Sequence, residues 1–131
     1  MANTKKILIV EDQADIRMLI RMTLELGNVE IHEADNGDGG WNMVNTVRPD
    51  IVLLDVMMPG SLDGYQVCQK IKADPELAHT PVVMLTARGQ VADFQAGRQV
   101  GANAYLTKPF SPLELMNTVH NILSAAEPKA D

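Results

Sequence analysis

Apolar runs of strand length alternate with helix-periodic stretches five times along this chain, and that rhythm restricts the fold more than any single residue. The runs cover residues 7–10, 29–34, 51–54, 82–85 and 104–106. The runs at 7–10, 51–54 and 82–85 are continuously apolar, as expected of strands covered on both faces. Pro81 stands before the fourth run, and proline is tolerated at the start of a strand.

Between the runs the spacing changes to that of helices. From Asp15 onward Ile16, Leu19, Ile20 and Leu24 keep an i, i+3, i+4 spacing that predicts an inward face, and Gly27-Asn28 supplies a stop. Asp35-Asn36-Gly37 turns the chain into a second helix carrying Trp41, Val44 and Val47, with Asp35 read as its cap and Arg48-Pro49 as its end. Asp63-Gly64 opens a third with Val67, Cys68 and Ile71 on one face, broken near Asp74-Pro75. Val91, Phe94 and Val100 mark a fourth, ending near Gly101. Ser111-Pro112 gives an N-cap and a proline in the first helical position for a fifth, which carries Leu115, Met116, Val119, Ile122 and Leu123. Strands alternating with helices imply right-handed crossovers, a parallel sheet and helices on both faces. The expected fold is therefore α/β, a doubly wound (βα)5 three-layer sandwich. Residues 1–126 are expected to form one domain, and residues 127–131 a frayed polar tail.

Composition narrows the function. The 131 residues are 46% hydrophobic and 21% charged, an ordinary globular balance. No apolar stretch approaches the ~20 residues of a membrane span, and the apolar run after Lys6 is too short for a signal-peptide core, so a cytoplasmic location is expected. Seventeen acids against eleven bases give a net charge of −6, which disfavours direct nucleic-acid binding and favours proteins, metal cations or cation-bound phosphates as partners. The single cysteine, Cys68, excludes a disulfide framework and reads as a small core residue. His32, His79 and His120 are scattered without ligand-like spacing, which argues against a zinc site.

The chemistry gathers where the strands end. Glu11-Asp12 follows the first run, Asp55 the third, Thr86 the fourth and Lys108 the fifth. In open parallel sheets ligands bind at the carboxyl ends of the strands. A strand order of 2-1-3-4-5, which the pattern permits, sets strands one, three, four and five side by side and gathers Asp12, Asp55, Thr86 and Lys108 around one pocket. Glu11, Asp12 and Asp55 at close quarters repel one another unless a cation neutralises them. An incomplete cage of hard oxygen ligands suits Mg²⁺, with Mn²⁺ as a substitute. A carboxylate is a competent phosphoryl acceptor, and such a transfer depends mostly on positioning and charge neutralisation. A hydroxyl and an ammonium facing the acceptor suit the transferred group's oxygens. Taken singly, Glu11-Asp12 suits a helix start, Thr86 a helix cap, Lys108 a loop lysine and Tyr105 an ordinary strand aromatic. Their order and spacing together favour the functional reading.

In Ile9-Val10-Glu11-Asp12, Leu54-Asp55-Val56-Met57-Met58-Pro59, Leu85-Thr86-Ala87 and Tyr105-Leu106-Thr107-Lys108-Pro109-Phe110 the chain resembles the receiver domain of bacterial two-component response regulators. The resemblance covers about residues 5–125 and is to the family that includes the single-domain chemotaxis regulator, which implies a flavodoxin-like sheet of order 2-1-3-4-5. It implies that Asp55 takes phosphate from a sensor histidine kinase or a histidine phosphotransfer protein. Asp12, Asp55 and the backbone carbonyl of Met57 would bind Mg²⁺, with Glu11 acting through water. Thr86 would hydrogen-bond the phosphoryl group, Lys108 would pair with it, and Lys108-Pro109 would be a cis peptide. Thr86 and Tyr105 would form a switch that exposes a new face on the fourth helix, fifth strand and fifth helix to a downstream protein target. The implied state is a monomer or a phosphorylation-dependent dimer.

Two departures from the family stand out. Three residues, Gly60-Ser61-Leu62, lie where the family usually has two between Met-Pro and Asp-Gly, so the loop after Asp55 is one residue longer. No output domain is expected within the chain, which either acts alone through protein contacts or is a piece of a longer regulator cut near Glu127. Met57 and Arg88 lie two residues past Asp55 and Thr86 and offer no water-orienting acid or amide, so self-dephosphorylation is expected to be slow.

The chain is not expected to be an enzyme beyond this self-catalysed chemistry. A phosphohydrolase of the haloacid dehalogenase type needs a second Asp where this chain has Met57. A phosphate-independent pseudo-receiver has no use for a full acceptor set, and a nucleotide-binding flavodoxin-like domain lacks its Gly-rich loop after the first strand.

Overall fold

The computed structural model describes residues 4–25, 27–58, 60–87 and 101–126. Five strands, β1 (Lys5–Val10), β2 (Val29–Ala34), β3 (Ile51–Asp55), β4 (Val82–Ala87) and β5 (Ala104–Lys108), form one sheet of order β2-β1-β3-β4-β5. Every pairing is parallel. The described helices are α1 (Ala14–Leu24), α2 (Gly37–Val47), α3 (Gly64–Ala73) and the C-terminal helix α4 (Pro112–Ala126). The expected helix carrying Val91, Phe94 and Val100, and the tail at 127–131, lie outside the described residues.

Strand alternation divides the core in two. Ile7, Ile9, Ile51, Leu53, Val83, Leu85 and Leu106 pack with Ile20 and Leu24 of α1 and Leu115 and Val119 of α4. Leu8, Val10, Val52, Leu54, Val82 and Met84 pack on the other face with Val44 of α2 and Val67, Cys68 and Ile71 of α3. This is the expected three-layer sandwich, and it explains why the central strands are apolar at every position. Cys68 is a buried core residue, and burial pushes its thiol up to about 11.

Several sequence expectations are corrected. Asp55 closes β3 as expected, whereas β5 runs two residues past the expected end at Leu106 and finishes at Lys108. Asn36, not Asp35, caps α2: its side chain accepts the Gly39 N–H at 2.7 Å, while Asp35 accepts from the Asn36 amide. Leu19 is 40% exposed and Met116 41% exposed. At ~100° per residue both sit at the margin of their helix's inward arc. In α1 that arc is filled by Ile20, Thr23 and Leu24, the Thr23 hydroxyl donating to the Leu19 carbonyl. The caps of α3 and α4 are as expected: Asp63 forms a capping box with Gln66, and Ser111 exchanges hydrogen bonds with Glu114.

The longer loop after Asp55 docks on α2. Ser61 donates to the carboxylate of Asp38 at 2.8 Å, and Gly60 takes a left-handed φ of 105°. A Cβ on Gly37 would lie 2.0 Å from the Leu62 carbonyl oxygen, so only glycine permits this approach. At the other end of the loop a Cβ on Gly64 would lie equally close, 2.0 Å, to the carbonyl oxygen of Asp55.

Candidate phosphoryl-acceptor and cation site

The period of two along each strand decides which polar groups meet. Ile7 and Ile9 face α1 and α4, and Glu11 occupies the next position of that row; Ile51 and Leu53 are followed in the same way by Asp55, and Leu106 by Lys108. Three apolar rows thus end in two acids and a base on one face of the sheet. Asp55 pairs with Leu85 in register and Lys108 with Ala87, so β4 lies between them and the long lysine side chain crosses it.

The geometry is compact. Single carboxylate oxygens of Glu11, Asp12 and Asp55 lie within 4.8 Å of one another. The Lys108 ammonium is 2.7 Å from Glu11 Oε1 and 3.3 Å from Asp55 Oδ1. Two backbone amides also donate here: Gln13 N–H to Glu11 Oε2 at 3.1 Å and Met57 N–H to Asp55 Oδ1 at 3.3 Å. The Glu11 carbonyl also accepts from Arg17 Nη1 at 2.9 Å. A cleft of about 300 Å³ lined by Asp12, Gln13, Asp55, Met57 and Lys108 opens over these groups. Glu11 is fully buried, Asp55 nearly so, and Asp12 is exposed.

Electrostatics follow the burial. Desolvation, reinforced by hydrogen bonding to Asp12 and Glu11 and by the Glu11 charge, pushes Asp55 up to about 8, against the opposing pull of Lys108. Burial also pushes Asp12 upward, but hydrogen bonds with Asp55 and Glu11 outweigh it and leave its carboxyl below the usual range. Burial tends to lower Lys108, and its two acidic partners overcome that and raise it. The donor set is all oxygen, anionic and incomplete, which fits a hard divalent cation such as Mg²⁺ better than a softer metal.

The sequence-predicted residues are not all drawn together. Thr86 does not line the cleft: it follows Leu85 on β4, so alternation turns it toward the opposite face with Val82 and Met84. It is buried, and its hydroxyl has no hydrogen-bond partner among the described residues. Tyr105 packs partly buried against that same face. Met57 is 74% exposed at the cleft, and Lys108-Pro109 is cis. Arg88 lies outside the described residues. Gln13 and Arg17 were not singled out by sequence, because a backbone donor and a helix-surface arginine carry no compositional signal.

The pattern of the response regulator receiver domain matches residues 7–120. The chain is 44% identical over 124 residues to the transcriptional regulatory protein ResD of Bacillus subtilis, covering 95% of this chain and 50% of that protein. It is 40% identical over 126 residues to the phosphate regulon transcriptional regulatory protein PhoB of Escherichia coli, covering 96% and 55%. The chain thus spans about half the length of these curated relatives. Among solved structures, a putative response regulator from Chloroflexus aurantiacus superposes with a TM-score of 0.88 at 34% identity, over 93% of this chain and 99% of that one. The chemotaxis response regulator CheY4 of Vibrio cholerae superposes with a TM-score of 0.85 at 29% identity, over 92% and 99%. With its fold, its strand-end acids and these matches in agreement, the chain belongs to the response regulator receiver domain family of two-component systems.

Proposed function

We propose that this chain accepts a phosphoryl group on Asp55 from a sensor histidine kinase or histidine phosphotransfer protein in a Mg²⁺-dependent step, and that the phosphorylated state switches a protein-binding surface. One observation carries the reading: Asp55 faces an open cleft with Glu11 and Asp12 at ligand distance and the Lys108 ammonium 3.3 Å away. Glu11, Asp12, Asp55 and the Met57 carbonyl would hold Mg²⁺, which supplies the positive charge that lets Asp55 ionise and the phosphoryl oxygens approach.

An Asp55 carboxylate oxygen attacks phosphorus in line as the phosphorus–nitrogen bond of the donor phosphohistidine breaks, and the electron pair leaves with the imidazole nitrogen. Lys108 pairs with the transferred oxygens. Thr86 brings a buried hydroxyl with no partner among the described residues, and an unsatisfied buried donor costs about 1–3 kcal/mol. A phosphoryl oxygen relieves that cost, so phosphorylation draws the hydroxyl toward Asp55, and Tyr105, on the same sheet face, turns inward behind it. The altered surface comprises β5, α4 and the segment before β5, and its reader is a protein target or a second phosphorylated copy.

Incubation with acetyl phosphate and Mg²⁺, read by intact mass, tests the proposal. A phosphoryl adduct that vanishes in Asp55→Ala is expected; no adduct, or one that survives the substitution, overturns it. Met57 presents an exposed thioether beside the cleft and cannot orient an attacking water. The phosphoprotein is therefore expected to lose phosphate slowly, and Met57→Asn to hasten the loss; a fast rate unchanged by the substitution contradicts this.

A further inference from the structure

We infer that Arg17 is a positioning residue for the cation-binding acids, acting through the backbone of Glu11. This rests on the proposed cation site but not on phosphoryl transfer. Glu11 is fully buried, so its carboxylate direction depends on how firmly the β1–α1 turn is held. Its N–H donates to the Ala34 carbonyl at 3.0 Å, and its carbonyl accepts from Arg17 Nη1 at 2.9 Å. The same guanidinium pairs through Nε with Glu33 Oε1 at 3.0 Å. The end of β2 therefore grips Glu11 twice, directly through Ala34 and indirectly through Glu33 and Arg17.

Arg17 is tied to the site by a third route. Its own N–H bonds the Gln13 carbonyl at 3.0 Å, and the Gln13 N–H donates to Glu11 Oε2. One side chain therefore closes a ring of contacts around the turn that presents Glu11 and Asp12. A planar fork with several fixed donors spans a carboxylate and a carbonyl together, a task poorly suited to the point charge of lysine. Arg21 pairs with the other oxygen of Glu33 and with Glu25, and among the described residues no hydrogen bond or ion pair joins its side chain to Glu11. The two arginines share Glu33, but only Arg17 also reaches the Glu11 carbonyl.

Calorimetric titration of the full chain with Mg²⁺ alone separates positioning from mere structure. Residues that orient metal ligands typically change metal affinity by about 10–100-fold when replaced. Arg17→Met is expected to weaken Mg²⁺ about tenfold, near the lower end of that range. Arg17→Lys should recover little of the loss, and Arg21→Met should lower thermal stability with Mg²⁺ affinity unchanged. If Arg17→Met does not fold, Glu33→Gln should weaken Mg²⁺ in the same direction. Equal Mg²⁺ affinity in wild type and the folded Arg17 or Glu33 variant overturns the inference, as does an equal loss in Arg21→Met. A wild type that binds no Mg²⁺ overturns the cation site and this inference with it. Mg²⁺ binding without phosphoryl acceptance overturns only the proposed function.

Discussion

Burial by itself makes Asp55 a poor nucleophile at neutral pH, because a carboxyl pushed up to about 8 is mostly protonated there. Its value in the folded chain is raised above the ordinary carboxylate value, so its contribution to metal-free stability is fully present below about pH 4. That contribution is lost as pH rises through about 8. A cation that binds the ionised form must displace the proton, so at the proposed site Mg²⁺ affinity is expected to rise with pH up to that value, by as much as about tenfold per unit. Thermal scans with Mg²⁺ or chelator across this range should show a larger Mg²⁺-induced rise in Tm at pH 8 than at pH 6. Asp55→Asn should raise the metal-free Tm most at the alkaline end. Equal Mg²⁺ shifts at both pH values contradict the assignment.

At the scale of the element, alternation and caps decide which side chains reach the site and how firmly its supports are joined. Lys72 on α3 donates to the Thr80 carbonyl at 2.7 Å, to Asn103 Oδ1 at 2.9 Å and to the Ala78 carbonyl at 3.2 Å. Asn103 in turn accepts the Val82 N–H through its side chain, so one ammonium ties α3 to the entrances of β4 and β5. Lys72→Met should cost about 2 kcal/mol in urea unfolding, since bonds to a charged donor contribute about 1.5–3 kcal/mol each and their acceptors are left partly unpaired. A loss under half that would show that water replaces the lysine. The longer loop makes a second prediction. Gly37→Ala forces a Cβ against the Leu62 carbonyl and should destabilise by about 1–3 kcal/mol, the usual cost of overpacking. Asp38→Ala removes the acceptor of the exposed Ser61 hydroxyl and the acid in the first turn of α2, and should cost less. A larger loss in Asp38→Ala than in Gly37→Ala would place the loop's anchor elsewhere.

For the molecule as a whole, the proposed switch predicts where change is seen. Hydrogen exchange with and without beryllofluoride and Mg²⁺ should alter protection in β5 and α4 and leave β2, at the far edge of the sheet, unchanged. Thr86→Ala should bind the phosphoryl mimic yet lose the distant response. An unaltered response in that variant would remove Thr86 from the switch.

Much of this organisation is legible in the sequence because local rules carry it. The apolar runs, their alternation with helix spacing, and the Asp63 and Ser111 caps depend on side chains within a turn or two, and the structure places them as read. Asp35 and Leu19 depart from the local pattern for one reason: neighbouring residues, Asn36 and Thr23, compete for the same cap and the same helix arc. The family, its acids and its lysine follow from strand-end residues whose spacing survives any detail of packing.

The sequence by itself determined the strands, their polar ends and the parallel layering, because each follows from a period of two or of 3.6 and from chain connectivity. Only the tertiary structure decided which ends meet. Lys108 crosses β4 to contact both acids, Asp55 is raised by burial, Thr86 lies buried off the cleft, and Arg17 grips the Glu11 carbonyl. Those outcomes depend on contacts between residues distant in the chain and on how much water the packed layers exclude, and neither quantity is written in any local pattern.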